Sequence, residues 1–200
     1  MIRAGQVRMM NVKRLGLALY VIALLFFSSP GFAAEFKADM TMETSGETIT
    51  SKVFVSGSLM RQETEVPGGG TNISIIDGAR GLMFVLIPGE KMYMEFPNNQ
   101  MILGDEDIEK KLSDDADLKK IGTETVEGYQ CDKYEVIYKN SEMWALESSV
   151  VWVARKINFP IKGISQGKNG QVVMTCKNIS EEIIDQSLFE VPKDYSKFSY

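Results

Sequence analysis

Few residues of this chain could carry out chemistry. The 200 residues include no histidine and only two cysteines, Cys131 and Cys176. Without imidazole there is no Ser-His-Asp or Cys-His machinery, no His-ligated zinc and no His-ligated haem. Two thiols fall short of a four-thiolate zinc or iron–sulfur site within one chain. Serines and lysines are plentiful without marking out a recognisable Ser-Lys catalytic pair, and no pair of carboxylates is marked out by spacing as a glycosidase pair. The acidic run Asp105, Asp107, Glu109, Asp114, Asp115 and Asp117 has Lys110 and Ala116 where a calcium loop needs Gly and Glu. It reads as the solvated face of a helix with an acidic N-terminus. The segment from Gly163 to Lys168 lacks the spacing and the following Ser or Thr of a phosphate loop. Asn72-Ile-Ser and Asn178-Ile-Ser match the short glycosylation sequon. The expectation is therefore a protein that is not an enzyme, with no catalytic residue, no metal and no cofactor.

The elements that would position any site begin after a targeting segment. Arg3, Arg8, Lys13 and Arg14 form a basic start with no acid before Glu35, followed by the 13-residue apolar run Leu15–Phe27. A membrane span needs roughly 20 apolar residues, so this run fits a secretory signal peptide. Ser28-Ser29-Pro30 breaks it, and Gly31-Phe32-Ala33 offers a small-x-small cleavage pattern. Residues 1–33 are read as the signal peptide and 34–200 as one domain. No cysteine stands just after the apolar run, so the exported protein is expected not to be lipidated at its N-terminus. Export favours a structural disulfide between Cys131 and Cys176 over a redox pair, which usually sits as C-x-x-C.

Past that segment the chain reads as strands. Phe36, Ala38, Met40 and Met42 alternate with Lys37, Asp39, Thr41 and Glu43, the period of a half-buried strand. Ile49, Val53 and Val55 continue the pattern, and Leu82–Ile87 (LMFVLI) is apolar on both faces. Turns are expected at Ser45-Gly46, Asp77–Gly81, Pro88-Gly89 and Glu127-Gly128, and Asn169-Gly170 is the strongest hairpin signal. Residues 105–120 interrupt the series with Ile108, Leu112 and Ala116 at four-residue spacing, a narrow apolar stripe on a charged helix. The fold class is mainly β (α+β): a curved antiparallel sheet of about nine strands with one helical insertion.

Charge and composition narrow the partners. Removing residues 1–33 leaves 18 basic residues against 27 acidic, a net charge of −9 that disfavours nucleic acid. Nine methionines follow that segment, several on the inner face of the strands. Unbranched thioethers adapt to irregular partners, which suits an apolar cavity holding a flexible chain.

Four stretches carry a family resemblance: V-F-V-S-G-S-L-M-R (Val53–Arg61), G-Y-Q-C-D-K-Y-E-V (Gly128–Val136), V-W-V-A-R-K-I-N-F-P-I-K (Val151–Lys162) and S-L-F-E-V-P-K-D-Y (Ser187–Tyr195). In this order they resemble the LolA-like periplasmic proteins, and the stretch Gly128–Val136 looks like a related, divergent branch. The resemblance implies an incomplete antiparallel β-barrel wrapped over a helical lid, in a family whose best-known members carry acylated lipoproteins across the periplasm. It implies a cavity lined by Phe36, Met40, Met92, Met94, Phe96 and Trp152, closed by Ile108 and Leu112, with Arg61 near the position of a lid-controlling arginine. The expected partner is a lipid or the acyl chain of a lipoprotein, and an inner- or outer-membrane envelope protein as loading partner. The alternative is an envelope interaction or sensor domain that uses the same fold without a lipid.

Overall fold

The computed structural model describes residues 34–44, 46–65, 70–97, 116–139, 146–168 and 170–198. The expected signal peptide and the expected lid residues Ile108 and Leu112 lie outside these. Alternating burial makes the strands. In β1 (Glu35–Thr44) Phe36, Ala38, Met40 and Met42 are buried while Lys37 and Glu43 are exposed. The chain then meanders outward from β1 through β2 (Glu47–Ser56), β3 (Leu59–Glu65), β4 (Thr71–Asp77), β5 (Leu82–Ile87) and β6 (Met92–Pro97). A second meander follows: β7 (Ala116–Val126), β8 (Tyr129–Tyr138), β9 (Leu146–Ala154), β10 (Phe159–Gly167) and β11 (Gly170–Glu181). Antiparallel pairing of β11 with β1 joins the two, and β12 (Ser196–Lys197) adds to β6 in parallel.

The result is one sheet in the order β12-β6-β5-β4-β3-β2-β1-β11-β10-β9-β8-β7. Among the described residues twelve strands stand where about nine were expected, and the sheet they form is open, with β12 and β7 as its edges. Residues 116–120, expected at the end of the helix, instead start β7. Ala116 and Leu118 register with Tyr138 and Val136, and this period-two packing wins over the four-residue spacing that Ala116 shares with Leu112. Helix among the described residues is limited to two 3-10 turns, Pro88–Glu90 and Gln186–Phe189.

Two local features shape the sheet. The β7–β8 hairpin closes through Glu127 and Gly128 at φ 47° and 80°, the left-handed pair that matches strand twist. Asn178, at φ 52° in β11, lies where the β1–β11 register slips between Lys37 and Asp39, and its amide donates to Asp39 Oδ2 at 2.8 Å. Such a bulge raises the local twist. Phe36 of β1 and Phe159 of β10, with β11 between them, meet edge to face with ring centroids 5.0 Å apart. One contiguous core joins Met60, Ile76 and Met83 to Phe159, Ile161 and Met174, so the inner faces of both meanders pack together.

The outer face of β2–β6 has its own cover. After β11 the chain crosses behind these strands and seats Ile184, Leu188, Phe189, Val191 and Tyr195 against Ile73, Ile75, Phe84 and Leu86.

Candidate functional site

Strand register assembles the inner face row by row. Phe36, Val55, Met60, Ile76, Met83 and Phe96 stand directly opposite one another across six consecutive strands. Their exposures run 0, 1, 4, 3, 9 and 37%. This is an apolar row, buried at the centre of the sheet and more exposed toward β6. Beside it a second row runs Ala38, Val53, Gln62, Ser74, Val85 and Met94, and Met92 follows on the same face opposite Ile87. Exposed Phe198 lies at the same edge, its N–H donating to the Tyr93 carbonyl at 2.8 Å. The Gln62 amide donates to Ser51 Oγ at 3.1 Å, and Ser51 and Thr64 share a 2.8 Å bond, so these buried polar groups are satisfied.

Five of the six residues expected to line a cavity share this face. Phe36 and Met40 are core at 0 and 4% exposure, Met92 and Met94 are half-buried, and Phe96 is exposed. Trp152 is not with them. It registers with Lys162, which registers with Thr175, while its neighbour Val151 registers with Gly163 and so with Met174. The indole therefore projects from the opposite face of β9. There it lies between the ammoniums of Lys133 and Lys162, 4.6 and 4.5 Å from the ring centre, and its N–H donates to Glu124 at 2.7 Å. That bond holds the Glu124 carboxyl below its ordinary range. A register shift between Pro160 and Lys162, invisible in the local alternation, precedes this placement.

Arg61 also points away from the apolar row. It sits in the outer row Phe54, Arg61, Ile75 and Phe84, donates from Nη1 to the Leu188 carbonyl at 2.8 Å, and pairs with Glu63 at 2.7 Å. It thereby holds the C-terminal segment against β3. The expected disulfide is overturned as well: Cys131 and Cys176 are free, buried thiols. Two strands, β9 and β10, separate β8 from β11, about 14 Å along the sheet, where a disulfide tolerates about 7 Å between Cα atoms. Burial pushes the Cys176 thiol up to about 12 and raises Cys131 too.

Sequence reasoning left out Val55 and Ile76 of the buried row and the edge residue Phe198. Alternation in β2 marks Val55, whereas Ile76 follows the outward Ile75 and Phe198 becomes visible only through the parallel pairing of β12. A separate cleft of about 550 Å³ is lined by Gly128, Tyr129, Gln130, Arg155, Lys156 and Glu181. Glu181 accepts from Lys156 at 2.8 Å and from Tyr129 at 2.9 Å, which keeps its carboxyl below the ordinary range. Burial pushes Tyr129 up to about 12. None of the expected cavity residues lines this cleft.

The candidate site is thus one apolar face of an open, mainly antiparallel sheet, buried at its centre and exposed toward β6. The chain belongs to a family described as a domain of unknown function (DUF4412), whose model matches residues 35–158 and 155–195. No curated protein matches the sequence. Among solved structures it is similar to an uncharacterized conserved protein from Thermus thermophilus, at TM-score 0.59 and 12% identity over 84% of this chain and 91% of that one. MucB of Pseudomonas aeruginosa, in its complex with MucA, follows at TM-score 0.53 and 12% identity over 83% of this chain. The matched region spans 58% of that chain. A LolA superfamily protein from Nitrosomonas europaea matches at TM-score 0.38 and 8% identity, over 82% and 92% of the two chains. At these identities the likeness is one of fold.

Proposed function

We propose that this is an exported periplasmic binding protein that holds the acyl chain of a lipid or lipoprotein in a trough along the inner face, without chemistry. The observation that carries the reading is the exposure gradient from Phe36 to Phe96. A buried apolar row that emerges at one edge gives an acyl chain a way in and a place to stop. Each methylene removed from water contributes about 0.8 kcal/mol, so one long chain supplies roughly 10 kcal/mol before ordering costs. The half-buried Met92 and Met94 give the mouth adaptable walls. The basic, then apolar, N-terminal 33 residues support export. Isolation of the protein from the periplasm without detergent, followed by solvent extraction and mass spectrometry, tests this. Stoichiometric lipid or acylated peptide is expected, and its loss in Met94→Glu or Phe96→Glu. A clean extract from folded protein sinks the reading.

A second reading has one observation in its favour. MucB, a solved structure of similar fold, was captured in a complex with MucA. By that analogy the sheet would grip an envelope protein rather than a lipid, a fold-level argument only. Crosslinking to a protein partner, with an empty trough, would select it.

A further inference from the structure

We infer that four sulfur side chains on the inner face of β1 and β11 form a site for a soft monovalent cation, copper(I) by chemical class. Met40 stands directly opposite Cys176, and Met42 directly opposite Met174. All four point to the same face and are buried, at 4, 0, 4 and 1% exposure. Directly opposed residues have Cβ atoms about 4.5–5.5 Å apart, so Met40 adjoins Cys176 and Met42 adjoins Met174 across the strands. Cys176 Sγ lies 3.9 Å from Met174 Sδ. Two sulfurs bound at about 2.3 Å to one metal at a trigonal or tetrahedral angle are separated by about 3.8–4.0 Å, so this pair already has the bite of a shared ligand set.

The donor set decides which ion fits. Thioether and thiolate sulfur are soft ligands that select copper(I), whereas magnesium and calcium take oxygen. The chain has no histidine to offer a competing imidazole. Charge balances in the dry core: the cation displaces the proton of the Cys176 thiol, a copper–sulfur bond forms, the S–H bond breaks, and the proton leaves to solvent. The product is a neutral metal–thiolate with thioether neighbours, so no net charge is buried. No electron is transferred. The site lies on rows next to the trough, and it holds whether or not a lipid occupies the trough.

The test uses the purified, folded protein with silver(I) as a redox-stable probe and copper(I) buffered by bathocuproine disulfonate. One equivalent of either ion is expected to bind, with one proton released near pH 7. Cys176→Ser should abolish binding. Because that variant perturbs the core, Met174→Leu and Met42→Leu are measured too; these near-isosteric changes keep the fold, and each should weaken binding at least 10-fold. Cys131→Ser should bind as the native protein does. Absence of binding overturns the proposal. So does binding that survives both methionine variants, which means a lone thiol, or binding that follows Cys131.

Discussion

The Arg61 guanidinium on β3 and the backbone carbonyl of Leu188, 127 residues later, are joined by a 2.8 Å hydrogen bond. The arginine is only 11% exposed and its Nε is held by Glu63. A charged donor in this setting contributes about 1.5–3 kcal/mol, and its removal takes this partner from a partly buried carbonyl. Arg61→Ala should therefore lower the unfolding free energy by about that amount, read as a lower urea midpoint with little change in slope. Hydrogen exchange should quicken first at residues 184–191. Loss of protection spread evenly over the sheet would show that Arg61 does not clamp this segment.

The trough makes a graded prediction. Phe36 is fully buried against Phe159, and truncation to Ala should cost about 3–5 kcal/mol. Phe96 is 37% exposed, and Phe96→Glu should leave the thermal midpoint nearly unchanged. Acyl retention should respond in the opposite way, lost in Phe96→Glu though the fold survives. Calorimetry and lipid analysis of the same preparations separate the two effects. If Phe96→Glu unfolds the protein, the β6 edge is core rather than a mouth.

How much of this was readable depended on how local each feature is. Phe36, Ala38, Met40 and Met42 announce an inward face by alternation alone, and Glu127-Gly128 announces its hairpin because few residues accept two positive φ values. Trp152 was legible as buried but not as to side, since a register shift in a neighbouring strand decides that. The family resemblance placed Arg61 near a lid, and nothing near it in sequence reveals that Leu188 will lie across it. The cysteines looked paired because their number is even, yet strand order, a long-range property, keeps them apart.

Both thiols should be silent in the native state. Cys176 is pushed up to about 12 by burial and Cys131 is raised by the same cause, so neither offers thiolate at pH 8. Ellman's reagent should find no reactive thiol in the folded protein and two in guanidinium without reductant. Two missing thiols after denaturation would mean a disulfide. Because these folded-state values exceed those of the unfolded chain, the thiols' stabilising contribution is complete below pH 9 and declines as pH rises toward 12. Tyr129 and Tyr138, also raised by burial, steepen that alkaline loss above about pH 10.

The acid limb runs the other way and has its centre at Asp132. Its Oδ1 accepts from Arg155 Nε and Nη2 at 2.9 and 2.6 Å and pairs with Lys120 at 2.8 Å. The hydrogen bond from Arg155, more than any other contact, holds its carboxyl below the ordinary 3.8, with Lys120 adding to the effect. A carboxylate depressed in the folded state contributes stability that is present above the unfolded value and lost as pH falls through the folded one. Glu181, held by Lys156, Glu182, held by Lys37, and Asp194, held by Lys91, behave alike, so the losses accumulate below about pH 4.5. Denaturant midpoints should fall between pH 6 and pH 3. Asp132→Asn should start lower at pH 6, because Arg155 and Lys120 lose their shared acceptor, and should then fall less over the same interval. Parallel curves for the two proteins would remove Asp132 from the acid response.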